Sequence, residues 1–460
     1  MRRRAFPVIV GATVTILVIL LVFIVFGLAR WAPILSTPGF GSPLPPPAIP
    51  TAVVEGDAVQ SGESAAKSLD LAAIEAAWAS FSEVAQTGKW TPWVRVVDAD
   101  TGAVVFAAND STAHTPASTM KVLTSYFALS VLRPDTVLTT GVSRTGGALY
   151  LWGEGDLLLS AGTGNPDAVV GHAGLADLAQ DTADALSADG VTTVTLTYQN
   201  QLFDGPLRPP GWEEQEVTDF GGDVGAFAID TGRTSPGAWQ FVEDSAAQVA
   251  DAFAESLRSR GITVQTITPG QPPADASEVA TVHSATVLDQ IDFMATTSDN
   301  TLAEQYCHLA ASSYLGASAT LAESTRALSR YLDEQRISTE GFTPYDCSGL
   351  DSRTKVAPQT LTDTILSSAS PTVASGSLTR FFPVGGFTGT LTDRFDTGSA
   401  SGNVAAKTGS LGAVATLAGV VTNQSGQTLI FAVGADDVPD DGAGWYRPTL
   451  DAFVTALADS

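Results

Sequence analysis

The chain has 460 residues, 44% of them hydrophobic, and 49 acidic against 23 basic side chains give a formal net charge of −26. That length admits more than one domain, and without a basic stripe to neutralise phosphates nucleic acid is not a partner. The four histidines, His114, His172, His283 and His308, are scattered, and Cys307 beside His308 lacks ligand spacing, so neither a metal nor another cofactor is expected.

The chain begins with Arg2-Arg3-Arg4, ahead of an almost unbroken apolar stretch over residues 8–29. As a helix that stretch rises about 33 Å, enough to cross a bilayer. The arginines place residues 1–7 in the cytoplasm and the remainder outside the membrane. A cleaved signal peptide is the alternative, but its apolar core would be unusually long and no small-x-small cleavage site follows. A single-pass anchor is therefore expected. Residues 30–67, with Pro45-Pro46-Pro47 at their centre, read as a semi-extended spacer.

A first folded segment is expected over residues 68–140. Residues 69–85 carry Leu71, Ile74, Ala77, Trp78 and Phe81 on one helical face. Residues 93–97 and 103–107, around the turn Asp98-Ala99-Asp100-Thr101-Gly102, give a hairpin. Thr115-Pro116-Ala117 then opens a helix at Ser118-Thr119-Met120-Lys121, followed by the apolar run of residues 122–129. Lys121 lies one helical turn from Ser118, within reach of its hydroxyl. To act as its base the lysine must be neutral, which burial and a second cation would favour. Lys407 is the candidate for that cation. Ser118 at a helix start also offers backbone N–H groups to a developing oxyanion.

Ser64-Ala65-Ala66-Lys67 and Ser352-Arg353-Thr354-Lys355 repeat the spacing. The first borders the spacer and the second lies in a polar loop, so neither has the helix and apolar run of Ser118. Ser401-Gly402-Asn403, like Ser298-Asp299-Asn300 a Ser-x-Asn sequence, reads as a turn entering a strand.

Ser298 lies 180 positions after Ser118, a gap larger than one helical subdomain needs, so residues 141–280 are expected to form inserted domains. They carry strand patterns at 148–152 and 191–198, turn clusters at 162–166 and 205–211, and a helix at 245–260. Gly162-Thr163-Gly164 lacks the helix and lysine of a phosphate loop and reads as a turn. A second folded segment, residues 281–460, completes the core. Cys307 and Cys347 fall on the exported side, where a disulfide can persist; pairing and two buried thiols are both open. Lys407-Thr408-Gly409-Ser410 sits on an edge-type strand, where the glycine would let a substrate backbone approach and add as a strand. Residues 413–421 and 428–433 read as a further hairpin and 445–457 as a terminal helix. The fold class is α+β, with a sheet built from both ends of the chain and covered by helices.

Ser118-Thr119-Met120-Lys121, Ser298-Asp299-Asn300 and Lys407-Thr408-Gly409, in that order with the long insertion, resemble the D-alanyl-D-alanine carboxypeptidase/endopeptidase family, the low-molecular-mass class C penicillin-binding proteins. Leu151-Trp152-Gly153-Glu154-Gly155-Asp156, Asp346-Cys347-Ser348-Gly349-Leu350, and Pro383-Val384-Gly385-Gly386 with Gly389-Thr390-Leu391 are similar to further segments of that family. The resemblance covers roughly residues 90–460 and implies a penicillin-binding/β-lactamase-like transpeptidase core. It implies Ser118 as acylated nucleophile, Lys121 as base, Ser298 as proton relay to the leaving amine and Asn300 as a group that binds the peptide amide and positions Lys121. Lys407 and Thr408 would receive the substrate carboxylate, and the N–H groups of Ser118 and Ser410 would form the oxyanion hole. Peptidoglycan stem peptides would be the substrates and β-lactams the inhibitors. Two alternatives stand beside a carboxypeptidase: a β-lactamase, and a catalytically silent wall-binding protein. The first would need a deacylating Glu-x-x-x-Asn element, and no asparagine occurs from 301 to 402.

Overall fold

Residues 69–369, 377–439 and 443–460 are described by a computed structural model. The expected anchor at 8–29, the spacer and the Ser64 tetrapeptide lie outside the described residues. Among the described residues no helix is long and apolar enough to cross a membrane.

Helix α1 (Leu71–Gly88) starts where the Asp70 side chain accepts from the Ala73 N–H, and ends at Lys89 in the left-handed conformation. It leads into β1 (Thr91–Asp98) and β2 (Val104–Ala108). After the 3₁₀ turn Ala117–Thr119 comes α2 (Met120–Val131). Strands β3 (Val137–Thr145), β4 (Ala148–Gly153) and β5 (Asp156–Leu159) follow, then α3 (Leu175–Ala188), β6 (Thr193–Tyr198) and β7 (Phe227–Ile229). Next come α4 (Ser245–Ser259), β8 (Thr263–Pro269) and β9 (Ser277–Thr286). Helices α5 (Val287–Thr297), α6 (Asn300–Leu315), α7 (Leu321–Glu334) and α8 (Pro358–Ser368) precede β10 (Val404–Leu411), β11 (Val414–Thr422), β12 (Thr428–Asp436) and α9 (Ala443–Asp459).

The main sheet runs β10-β11-β12-β1-β2, so the last strand of the chain pairs with the first. Its strands are antiparallel, with Val94 opposite Val433 and Lys407 opposite Ala418. Successive residues of a strand face opposite sides, and here both sides are covered. Val94, Val96, Leu417, Phe431 and Val433 pack under α1 and α9 with Phe81 and Phe453, whereas Trp93, Val97, Ala418, Ile430 and Ala432 face Met120, Phe127, Leu302 and Tyr306 of the helical side. Burial on both faces is why residues 428–435 read as nearly unbroken apolar sequence.

The second sheet runs β8-β6-β4-β3-β9 and lies wholly between α2 and α5 in sequence, from Val137 to Thr286. It is mixed: β4, β6 and β8 are parallel and linked through α3 and α4, while β3 is antiparallel to β4 and β9. Its core, Leu149, Leu151, Leu196, Val249, Phe253 and Leu257, is separate from those of the main sheet.

Candidate active site

The nucleophile turn is built under constraint. Pro116 begins it, and Ala117 adopts φ 45°, the left-handed region that residues with a Cβ seldom occupy. The Ala117 carbonyl packs onto Gly349, itself at φ +80°; a Cβ there would collide with the Ala117 oxygen and lie 2.8 Å from Met120 Cβ. Ser118 emerges half-buried from this turn, and Lys121 lies at the head of α2 with 1% of its surface exposed.

Lys121 Nζ donates to Ser118 Oγ at 3.0 Å, to Asn300 Oδ1 at 2.6 Å and to the Ser348 carbonyl at 2.9 Å. Burial lowers its pKa to about 8, against the opposing pull of Asp346, Asp299 and Glu304. Lys407 is the second cation beside it: its own pKa falls well below the usual lysine value, through burial first and then through repulsion from Lys121.

Ser298 occupies the left-handed residue between α5 and α6, which turns its hydroxyl out of the helical run. Asp299 is the N-cap of α6: its Oδ1 accepts from the Leu302 N–H, and its Oδ2 meets Arg233 at 3.2 Å. With the cap supplied by its neighbour, Asn300 is free to spend its amide on Lys121 and on the Phe220 carbonyl, to which Nδ2 donates at 2.9 Å. Lys407 Nζ donates to Ser298 Oγ at 2.8 Å and to the Thr408 carbonyl at 2.9 Å. Two Ser–Lys pairs therefore face one another across the site.

Strand β10 forms the open edge of the main sheet. The Ala406 N–H leaves that edge to reach the Pro383 carbonyl at 2.9 Å. Alternation along the strand then directs the N–H groups of Thr408 and Ser410 to the same edge. Gly409 has a different role from the one expected of it. A Cβ at Gly409 would run into Thr416 Oγ1 and come within 2.8 Å of the Pro116 carbonyl and 3.1 Å of Ser118 N. The glycine lets β10 press against the nucleophile turn, which brings Ser410 beside Ser118.

The loop Asp346-Cys347-Ser348-Gly349-Leu350 closes the floor. Glu304 Oε1 accepts from the N–H groups of Cys347 and Ser348 at 3.0 and 2.8 Å, and the Thr124 hydroxyl donates to the Cys347 carbonyl. Cys307 and Cys347 are joined in a disulfide that ties this loop to α6. Burial, with Asp346 nearby, pushes the Glu304 carboxyl up to about 8. Above the floor, Ser118, Ser298, Thr390, Arg394, Thr408, Ser410 and Arg447 line a cavity of about 370 Å³.

All five expected catalytic side chains thus converge, with Thr408, Gly409 and Ser410 beside them. The Ser352 tetrapeptide does not reproduce the arrangement, since Ser352 bonds to Gln215 and Lys355 to Thr115. Among the described residues no cluster of His, Cys, Asp and Glu could hold a metal. Sequence reasoning missed the Ser348 carbonyl, Glu304, Thr390 and Arg447. The first acts through its backbone, and Glu304 and Arg447 stand in no motif, although Ser348 and Thr390 fell inside segments already singled out.

The D-Ala-D-Ala carboxypeptidase 3 (S13) family model matches residues 81–240 and 233–456. The chain belongs to that family. It is 31% identical over 433 residues to carboxypeptidase Rv3627c of Mycobacterium tuberculosis, covering 91% of this chain and 90% of that protein. Against carboxypeptidase DacB of Mycolicibacterium smegmatis it is 31% identical over 377 residues, 79% of each chain. The fold is similar to that of penicillin-binding protein 4 (dacB) from Haemophilus influenzae, with a TM-score of 0.68 at 22% identity over 83% of this chain and 99% of that one. The same Haemophilus protein is also known complexed with a β-lactam.

Proposed function

We propose that the protein is a serine-type D-Ala-D-Ala carboxypeptidase acting on peptidoglycan stem peptides through an acyl-enzyme on Ser118. The observation that carries this reading is the bond network of Lys121. A neutral lysine has two N–H donors and one lone pair; the Asn300 and Ser348 carbonyl oxygens can only accept, so they hold the two N–H groups and leave the lone pair to the Ser118 hydroxyl, 3.0 Å away.

In this mechanism Lys121 takes the Ser118 proton as Oγ attacks the carbonyl of the penultimate D-alanine. The oxyanion sits between the Ser118 and Ser410 N–H groups. Ser298 relays the proton that Lys121 took to the departing amine, which leaves Lys121 neutral again when water hydrolyses the ester. The same acyl-enzyme would serve a cross-link endopeptidase, whose leaving amine carries more peptide. A β-lactam would acylate Ser118 by the same attack and, without a Glu-x-x-x-Asn element, would leave slowly. The exported, membrane-anchored location follows from residues 1–29 and from the substrate.

The test incubates the purified protein and its Ser118→Ala variant with a peptide ending in D-Ala-D-Ala. D-alanine release by the wild type alone is the expected result. No release by the wild type would favour a silent wall-binding protein, and rapid multiple-turnover hydrolysis of penicillin a β-lactamase.

A further inference from the structure

A substrate ending in a free carboxylate brings a full negative charge into a protein of net charge −26. The two motif lysines are poorly placed to meet it. Each is 1% exposed, with Lys121 Nζ committed to Ser118, Asn300 and Ser348 and Lys407 Nζ to Ser298 and the Thr408 carbonyl. Burial also lowers both pKa values. Thr408 is engaged too, its hydroxyl donating to Thr390 Oγ1 at 2.8 Å.

Two guanidinium groups line the same cavity as Ser118, Ser298 and Thr408. Arg394 is paired: its Nε lies 3.2 Å from both carboxylate oxygens of Asp451, and Nη2 also bonds to that carboxylate. Arg447 differs. It projects exposed from the first turns of α9, and among the described residues it has no hydrogen-bond or ion-pair partner. Its natural partner one helical turn on, four residues away, would be Asp451, and Arg394 already occupies that carboxylate. Arg394 thereby keeps Asp451 from neutralising Arg447, and an uncompensated guanidinium remains at the wall of the cavity. Asp393 and Asp451 line the neighbouring cavity with Arg447 but lie beyond ion-pair distance from it.

We propose that Arg447 is the counter-charge for the free α-carboxylate of the leaving residue, and that it makes the enzyme selective for peptides in which that carboxyl is not amidated. A guanidinium suits this task because its planar fork matches a carboxylate and it stays charged at any physiological pH. Selectivity follows from the charge. An amide in the same place cannot pair with Arg447, so amidation of the leaving residue would protect a stem peptide or a cross-link from cleavage. The inference rests on acyl transfer at Ser118 as proposed above.

The test compares the full-length wild type with Arg447→Gln and Arg447→Lys on two matched peptides, one ending in D-Ala-D-Ala with a free acid and one with its C-terminal amide. Expected is a fall of about tenfold to a hundredfold in kcat/KM for the acid with Arg447→Gln, carried mainly by KM. The amide should be unaffected, and the lysine variant should retain part of the preference. Benzylpenicillin and its methyl ester, followed by mass spectrometry of the adduct, give an independent pair. Equal losses on acid and amide, or none on either, would overturn the proposal by making Arg447 a structural or idle residue. Failure of the wild type to release D-alanine would instead count against the proposed function, since the penicillin pair still reads Arg447 through acylation.

Discussion

Asn300 holds Lys121 through an amide that has only one orientation. Its Oδ1 accepts from Lys121 Nζ at 2.6 Å while its Nδ2 donates to the Phe220 carbonyl at 2.9 Å. Because the Phe220 oxygen can only accept, turning the amide over would set an acceptor against an acceptor there and a donor against the lysine. The second motif therefore fixes which way the base of the first motif points.

A pH dependence follows. Lys121 is competent only when deprotonated, and its pKa stands at about 8, so acylation of Ser118 should rise as pH increases through about 8 and level off above it. Asn300→Asp would place an anion where the amide oxygen now sits. An anion there favours the charged lysine, and the rising limb should move upward by one unit or more. Measuring penicillin acylation from pH 6 to 10 checks this. A limb that stays put would mean that Lys121 is not the group being titrated.

Ser298, the proposed relay to the leaving amine, accepts from Lys407 Nζ at 2.8 Å. Replacing Ser298 by alanine removes the proposed relay without disturbing Ser118 or Lys121. For an amide substrate, whose amine must be protonated to leave, the loss should be on the order of a hundredfold or more. A depsipeptide ending in D-Ala-D-lactate has a better leaving group and should lose far less. Equal losses on the two substrates would assign Ser298 to binding instead of proton transfer.

Much of this centre was legible in the sequence because its chemistry is local. Ser118 and Lys121 share one helical turn, the apolar run after them marks a buried helix, and Ser298 and Asn300 flank their own N-cap. The main sheet was legible in outline for the same reason, its hairpins at 93–107 and 413–433 being short-range patterns. Long-range choices were not. Nothing in residues 141–280 shows that β4 and β6 pair in parallel while β3 pairs antiparallel with β9, because those partners lie across intervening helices. Helix α1 runs on past Ala85 to Gly88, since no proline interrupts it and Lys89 can adopt the left-handed cap. Gly409 was assigned to substrate approach, yet its packing partner is Pro116, almost 300 positions earlier. Arg447 gave no signal at all: its meaning depends on which carboxylate Arg394 has taken.

The disulfide between Cys307 and Cys347 encloses a segment with a sequence separation of 40, so chain-entropy arguments put its contribution at roughly 4 kcal/mol. The loop that it anchors is also held by Glu304, Thr124 and the Trp212 indole, which donates to Asp346 at 3.0 Å. Stability and activity should therefore separate. The Cys307→Ala/Cys347→Ala double variant is expected to unfold at clearly lower denaturant while its acylation rate at 25 °C changes by only a few-fold. A collapse of acylation under conditions where the variant is still folded would show that the disulfide itself positions the Ser348 carbonyl.

Gly349 offers the sharpest test of how the nucleophile turn is held. Ala117 sits in the left-handed region at φ 45°, an arrangement the surrounding packing has to impose, and its carbonyl rests on Gly349. Alanine at 349 would be strained twice, by its own φ of +80° and by collision with the Ala117 oxygen. The Ala117 backbone and the Met120 Cβ are both fixed by the main chain, so no flexible side-chain end can yield. The expected cost is about 2–4 kcal/mol of stability, together with loss of acylation, because relief of the clash moves the residue just before Ser118 and also shifts the Ser348 carbonyl that orients Lys121. Gly146→Ala makes the comparison: its φ is +59° but no atom lies within 4 Å of the added Cβ, so it carries the backbone strain without the collision. Thermal unfolding and penicillin acylation of the two variants separate the effects. Loss of acylation in Gly349→Ala with normal acylation in Gly146→Ala would tie the activity to the Ala117 contact, whereas normal acylation in both would mean that the turn keeps Ser118 in place without Gly349.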